Sequence, residues 1–334
     1  MNKTAEHLSH VIMICLAVFS VLCILFLDLF LYYPIVKNQD LHYFLHQGTT
    51  ASELAYDLQM MTHLDHPLLF KIAVRCKGVD HQLRAGEYVF SQGSSIHSIL
   101  NQLVHGQVVL HALTIVNGWT SDDALELVRQ SPFLKPTLKN KTRRAIRKAL
   151  DIQQQSIEGW FYPETYHFPR QTRDIAFLKR AHQAMKHYLD KAWQARAPHL
   201  PYRYAYEALI VASMLEKETS IKREKPLIAA IILKRLKKKM YLQIDATVIY
   251  GLGARFNGHL THQDMHLKTP YNTYTRHGLP PTPIAIPGGD SIDAALHPAQ
   301  TKALYFVAKG DGTHVFSKTL RQHEKAIMLL QQSH

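Results

Sequence analysis

The order of apolar and polar positions divides the chain before any composition is considered. Val11 to Tyr33 (VIMICLAVFSVLCILFLDLFLYY) is one apolar run, long enough for a single membrane-spanning helix. Asp28 is its only charge, tolerable near a membrane interface and costly at the centre. From Asp40 the pattern becomes periodic. Asp40 to Gly48 reads as a strand, and GTTASELAYDLQ as a helix capped by Thr50 or Ser52, with Leu54, Ala55 and Leu58 on its buried face. Leu83 to Phe90 is a second strand. GSSIHSILNQLVHG repeats the hydroxyl-capped helix and stops at Gly106, and Val108 to Val116 is strand-like again. Leu41 to Val116 is therefore expected to be a small α+β unit in which strands alternate with two short helices.

Further on, helical spacing dominates. Gly118 to Asp122 opens a capped helix, and Asp174 to Ala197 repeats Ile175, Leu178, Ala181, Met185 and Leu189 at three- and four-residue steps. Tyr204 to Glu218 and Pro226 to Lys239 are two more helices. Met240 to Gly253 reads as strand, turn and helix start. IEGWFYPETYHFPR (Ile157 to Arg170) carries Pro163 and Pro169 and is expected to be an ordered loop or extended turn. Thr269 to Pro298 is a long proline-rich irregular stretch, the kind that usually carries function. Ala303 to Leu320 is a hairpin turning at Lys309 to Gly312, and a helix from Leu320 to Leu330 closes the chain. The class expected is α+β.

Composition adds limits. Hydrophobic content of 46% and charged content of 19% over 334 residues describe a globular chain. The net charge of +13 favours polyanionic partners such as nucleic acid, anionic lipid or a cell-wall polymer. KNKTRRAIRK (Lys139 to Lys148) concentrates that charge but lacks interleaved aromatics for stacking bases, which argues against nucleic acid. Cys15 and Cys23 lie in the apolar run, so Cys76 alone cannot form a disulfide or a Cys-based zinc site in the soluble part. The 22 histidines form no HExxH-like pair, so no metal and no cofactor is expected. The apolar run lacks a small-residue cleavage site and reads as an uncleaved anchor, with residues 1–10 in the cytoplasm and everything after the span outside.

The candidate chemistry sits at Leu209 to Ser220 (LIVASMLEKETS), where a buried-type helix ends on Glu216 and Glu218, followed by Thr219. Acids at the end of an apolar helix need a reason, because ionisable groups are rarely buried without a partner. Helical phase does not choose between them: Glu218 falls near Val211 around the axis and Glu216 near Leu209. Glu158, within the aromatic loop, and Gln243, Asp245, Tyr271, Asn272 and Tyr274, on irregular backbone, are the hydrogen-bonding and stacking groups that a sugar-binding groove needs. Asn272 is the candidate for an N-acetyl group, and Tyr271 or Tyr274 for stacking or for orienting an acid.

EGWFYPETYHF, ASMLEKET, LQIDATVIYGLG, PYNTY with GLPPTPIAIPG, and ALYFVAKGDGTHVFSKTLRQH occur here in the order and spacing of a known family. From about Leu41 to the end the chain resembles the MltG/YceG-like endolytic murein transglycosylases, and LRAGEYVF, HGQVVLHALTI and NGWT resemble that family's LysM-like N-terminal part. The resemblance implies a single-pass inner-membrane enzyme with a LysM-like module over 40–117 and a periplasmic catalytic domain over 118–334. Its implied activity is cleavage of the MurNAc-GlcNAc bond inside nascent peptidoglycan strands, leaving 1,6-anhydro ends and terminating glycan elongation, with peptidoglycan synthases as partners. It also implies that Glu218 is the acid/base, leaving Glu216 and Thr219 as supporting groups. Asp245-Ala246-Thr247, Thr282, Lys309 and Thr313 depart from the family pattern without touching Glu218 or Thr219. The alternative, from a different class, is a non-catalytic membrane-anchored peptidoglycan-binding or scaffold protein.

Overall fold

The computed structural model describes residues 3–332, so the first two positions of the expected cytoplasmic stretch lie outside it. The chain folds into two units: one of residues up to His111 together with Phe168–Gln171, the other of Ala112–His167 and everything from Thr172.

The N-terminal unit begins with α1 (Lys3–Tyr32), followed by β1 (Leu41–Leu45), α2 (Ala51–Met61), α3 (Pro67–Cys76), β2 (Gly86–Phe90) and α4 (Ile96–His105). Thr50 caps α2 with a capping box closed by Glu53, and Ser95 caps α4, which ends on left-handed Gly106. β1 and β2 pair antiparallel with Tyr43 opposite Tyr88. Their inward side chains (Tyr43, Leu45, Tyr88 and Phe90) join Leu54, Leu58, Phe70 and Leu103 in one core. The expectation of two short helices is corrected by α3. His66-Pro67 starts it without a side-chain cap, and its buried residues Phe70, Ala73 and Val74 make a narrow stripe. α1 carries a 26-residue segment, His7–Tyr32, apolar enough to cross a membrane.

β3 (Leu110–Thr114) follows and lies beside β4 (Thr165–Pro169). β4 corrects the expectation of an ordered loop or extended turn over all of Ile157 to Arg170. Its TYHFP sequence alternates exposed and buried positions, which a strand tolerates with proline at its end.

The second unit contains α5 (Ser121–Gln130), α6 (Arg143–Ala149), α7 (Asp174–Gln194), α8 (Ala205–Glu218), α9 (Lys225–Lys237), α10 (Asp245–Leu252), α11 (His262–His266), α12 (Gly289–Leu296), the antiparallel hairpin β5 (Tyr305–Ala308) and β6 (His314–Ser317), and α13 (Leu320–Gln332). α8 is the hub. Ala208 through Leu215 are buried without interruption, as expected for a helix that is apolar all round. α7, α9, α10 and α12 all pack against it. The strand expected near Met240 reduces to one isolated bridge between Tyr241 and His277, because Asp245 already starts α10.

Candidate active site

The two glutamates at the end of α8 meet opposite environments. Glu216 enters a knot of donors: Ser291 Oγ at 2.6 Å, the Gly288 N–H at 2.9 Å, Lys225 Nζ at 3.2 Å, and the Asn117 amide. Lys225, with 2% of its side chain exposed, also reaches Asp290 at 3.2 Å. Burial pushes the Glu216 carboxyl up, but the bonds from Ser291, Gly288 and Asn117 and the Lys225 charge outweigh it, leaving the group below its ordinary range. Glu216 thus ties the end of α8 to the positive N-terminus of α12 and the start of α9. It is an ionised structural carboxylate.

Glu218 has no such partners. Among the described residues no group hydrogen-bonds to its carboxylate. Burial, followed by the negative charge of Asp245, pushes its pKa up to about 7. The carboxyl is therefore held protonated close to neutrality, with its proton unused by the protein. The next residue, Thr219, is extended and buried; its hydroxyl accepts the Ile221 N–H at 3.1 Å and shapes the turn that ends the helix.

Glu218 and Asp245 both border two cavities. One, of about 800 Å³, is walled by Asp122, Asp123, Arg143, Tyr250 and Phe256. The other, of about 490 Å³, is walled by Arg235, Gln243, Tyr274, Phe306 and His323. The acid stands where the two meet.

Asp245 is fixed through a chain of contacts from the PYNTY segment. Asn272, with no exposed surface, donates its amide to the carbonyls of Met265 (2.9 Å) and Leu267 (2.7 Å), and its Oδ1 accepts the Tyr274 N–H at 2.8 Å. Tyr274 in turn donates its hydroxyl to Asp245. Asn272 is thus enclosed, and the expectation that it holds an N-acetyl group is corrected: its amide is consumed by the loop. Tyr271 also turns inward, its hydroxyl on Thr282 Oγ1 at 3.0 Å and its ring edge-on to Tyr250. Gln243 adopts a left-handed φ of 53°, a strained conformation for a residue with a side chain, and accepts from Arg235 at 3.3 Å.

Glu158 lies at the wall of the larger cavity with 2% exposure. It accepts the Ser121 N–H (2.8 Å) at the start of α5 and the Tyr250 hydroxyl (2.9 Å) from α10. Burial raises its pKa against those bonds. Its position makes it a brace between α5 and α10. The neighbouring Gly159, at φ 76°, comes so close to Pro283 that a Cβ there would sit 2.7 Å from the ring, so this loop requires glycine. Ser213 accepts the Ile284 N–H at 3.0 Å, fastening the proline-rich segment to α8. Sequence reasoning missed Asn117, Lys225 and Ser291 around Glu216 and Arg235 beside Gln243. Their only sequence signal was a lysine at a helix start and an arginine inside a basic run.

Comparison with known proteins places this arrangement in context. A sequence model of the YceG-like family matches residues 44–328. An endolytic murein transglycosylase of Bacillus subtilis is 30% identical over 301 residues, covering 84% of this chain and 81% of that protein. One from Streptococcus pneumoniae is 25% identical over 84% of this chain, which spans 56% of that longer protein. The crystal structure of a YceG-like protein from Listeria monocytogenes superposes with a TM-score of 0.56 at 27% identity, over 86% of this chain and 98% of that one. With matches running from β1 to α13, through α8 and its terminal glutamates, the chain belongs to the YceG-like family.

Proposed function

We propose that this chain is a membrane-anchored endolytic transglycosylase that cleaves the MurNAc-GlcNAc β-1,4 bond within peptidoglycan strands. The observation that carries the reading is Glu218: a carboxyl with a pKa of about 7, without a hydrogen-bond partner among the described residues, at the junction of two cavities. A sugar polymer running through both cavities keeps residues on either side of the acid, which suits internal rather than terminal cleavage. The names of the Bacillus and Streptococcus relatives support the same substrate.

In this mechanism the Glu218 carboxyl protonates the glycosidic oxygen as the bond to the muramyl C1 breaks. The charge developing on the sugar faces Asp245, whose carboxylate Tyr274 holds in place. The Glu218 carboxylate then removes the proton of the muramyl C6 hydroxyl, whose oxygen closes on C1. The product is a 1,6-anhydro end, and Glu218 regains its proton. One residue serves as acid and then base, unlike the two-carboxylate arrangement of most glycosidases.

The same reading takes α1 as a single-pass inner-membrane anchor with the catalytic unit in the periplasm. It takes the N-terminal unit as a LysM-like module, and the role as ending glycan elongation beside peptidoglycan synthases. Purified Glu218→Gln protein is expected to bind glycan strands and release no anhydro ends. Undiminished anhydro products from that variant would sink the assignment. A non-catalytic scaffold would instead pull down murein with no new chain ends from the wild-type protein.

A further inference from the structure

The last turns of α1 are built into the core of the N-terminal unit. Leu31 is buried in it, and Leu27 and Phe30 pack against it. From His7 to Phe26, by contrast, every side chain is exposed. The apolar part of that stretch, Val11 to Phe26, extends ~24 Å along the helix, most of the thickness of a bilayer's hydrocarbon core. Asp28 then falls just past the apolar slab, where a carboxylate keeps its water.

The α2–α3 hairpin turns at this same level. His63 to His66 share a cavity of about 210 Å³ with Phe26, Leu29, Phe30 and Tyr33 of the anchor, and the His63 N–H donates to the Ile35 carbonyl at 3.0 Å. On α2, Tyr56 (61% exposed) and Met60 (69%) lie opposite the buried Leu54, Ala55 and Leu58. On α3, Leu68 (65%) and Ile72 (43%) lie opposite Phe70, Ala73 and Val74. Each pair is spaced four residues apart and so lies on one face. The two helices pack against each other over one core, so both pairs face away from that core, with Met61 (51% exposed) at the turn between the helices.

We propose that this outer face of the α2–α3 hairpin is a second membrane contact, lying in the headgroup region of the bilayer that α1 crosses at Phe26 to Asp28. The inference rests on reading α1 as a membrane span. The bilayer is the occupant because the hairpin tip adjoins the anchor at the depth where the exposed apolar segment ends. Five side chains expose roughly a few hundred Å², short of the ~800 Å² per partner of a stable protein interface. The contact would fix the orientation of this unit on the membrane instead of leaving it on a free tether.

Full-length protein with Cys15, Cys23 and Cys76 replaced by serine, carrying one cysteine at a time (Met60→Cys, Leu68→Cys or His42→Cys), would be labelled with bimane and reconstituted in phosphatidylethanolamine–phosphatidylglycerol vesicles. His42 is the control, on the exposed face of β1 away from the helices. Labels at positions 60 and 68 should be quenched at least about two-fold by lipids spin-labelled near the headgroup and shielded from aqueous iodide, with the reverse at position 42. Iodide quenching at positions 60 and 68 equal to that at 42 would overturn the proposal. So would protection from both quenchers, which would mean that protein covers the surface.

Discussion

Replacing Glu218 with glutamine should stabilise the protein, and only above a particular pH. In the folded chain the Glu218 carboxyl titrates at about 7 against an ordinary 4.5, so between these values the native state holds a proton that the unfolded chain has lost. Wild-type stability therefore falls as pH rises through that window. At 1.36 kcal/mol per pH unit the loss reaches about 3 kcal/mol by about pH 8. Glutamine has nearly the same shape and no charge to bury. In urea unfolding of the two detergent-solubilised proteins, stabilities should agree within about 0.5 kcal/mol near pH 4, and the variant should exceed wild type by about 3 kcal/mol near pH 8. Titrating groups that do not interact with Glu218 are common to both proteins and cancel in the difference. A gap that does not change with pH, or a variant less stable than wild type near pH 8, would refute the argument that Glu218 is stored protonated at a cost to the fold.

Two further outcomes follow from the neighbours of Glu218. Asp245→Asn removes the charge that adds to burial in raising Glu218, so the alkaline limb of the activity profile, expected at about 7 in wild type, should move to lower pH; an unmoved limb would show that the two carboxylates do not interact. Glu216→Ala leaves Lys225 with Asp290 as its one ion-pair partner among the described residues and should cost about 3–5 kcal/mol in denaturant unfolding, whereas a loss under about 1 kcal/mol would contradict its structural role.

Much of this was legible in the sequence because local rules governed it. Hydroxyl residues, Thr50 or Ser52 and those of GSSIH, announced two helices, Gly106 a helix end, and Lys309 to Gly312 a hairpin turn; the caps are Thr50 and Ser95. The unbroken apolar run of α8 marked it as the hub. What stayed hidden depended on distant partners. Glu216 and Glu218 are equivalent by helical phase, and they diverge because Asn117 and Ser291, remote in sequence, close around one of them. Asn272 looked like a sugar ligand because nothing in PYNTY reveals that α11 turns its carbonyls onto the amide. α3 went unseen because its narrow stripe of Phe70, Ala73 and Val74 is completed by the core that the other elements of its unit supply, and β4 because two prolines frame a strand of five residues.

In the proposed mechanism Glu218 drives an internal displacement in which no water enters the product. Digesting purified glycan strands with wild-type protein in water enriched in heavy oxygen, and weighing the new chain ends by mass spectrometry, tests it most directly. Internal displacement gives 1,6-anhydro ends, one water lighter than reducing ends and free of the label. Reducing ends carrying heavy oxygen would contradict it.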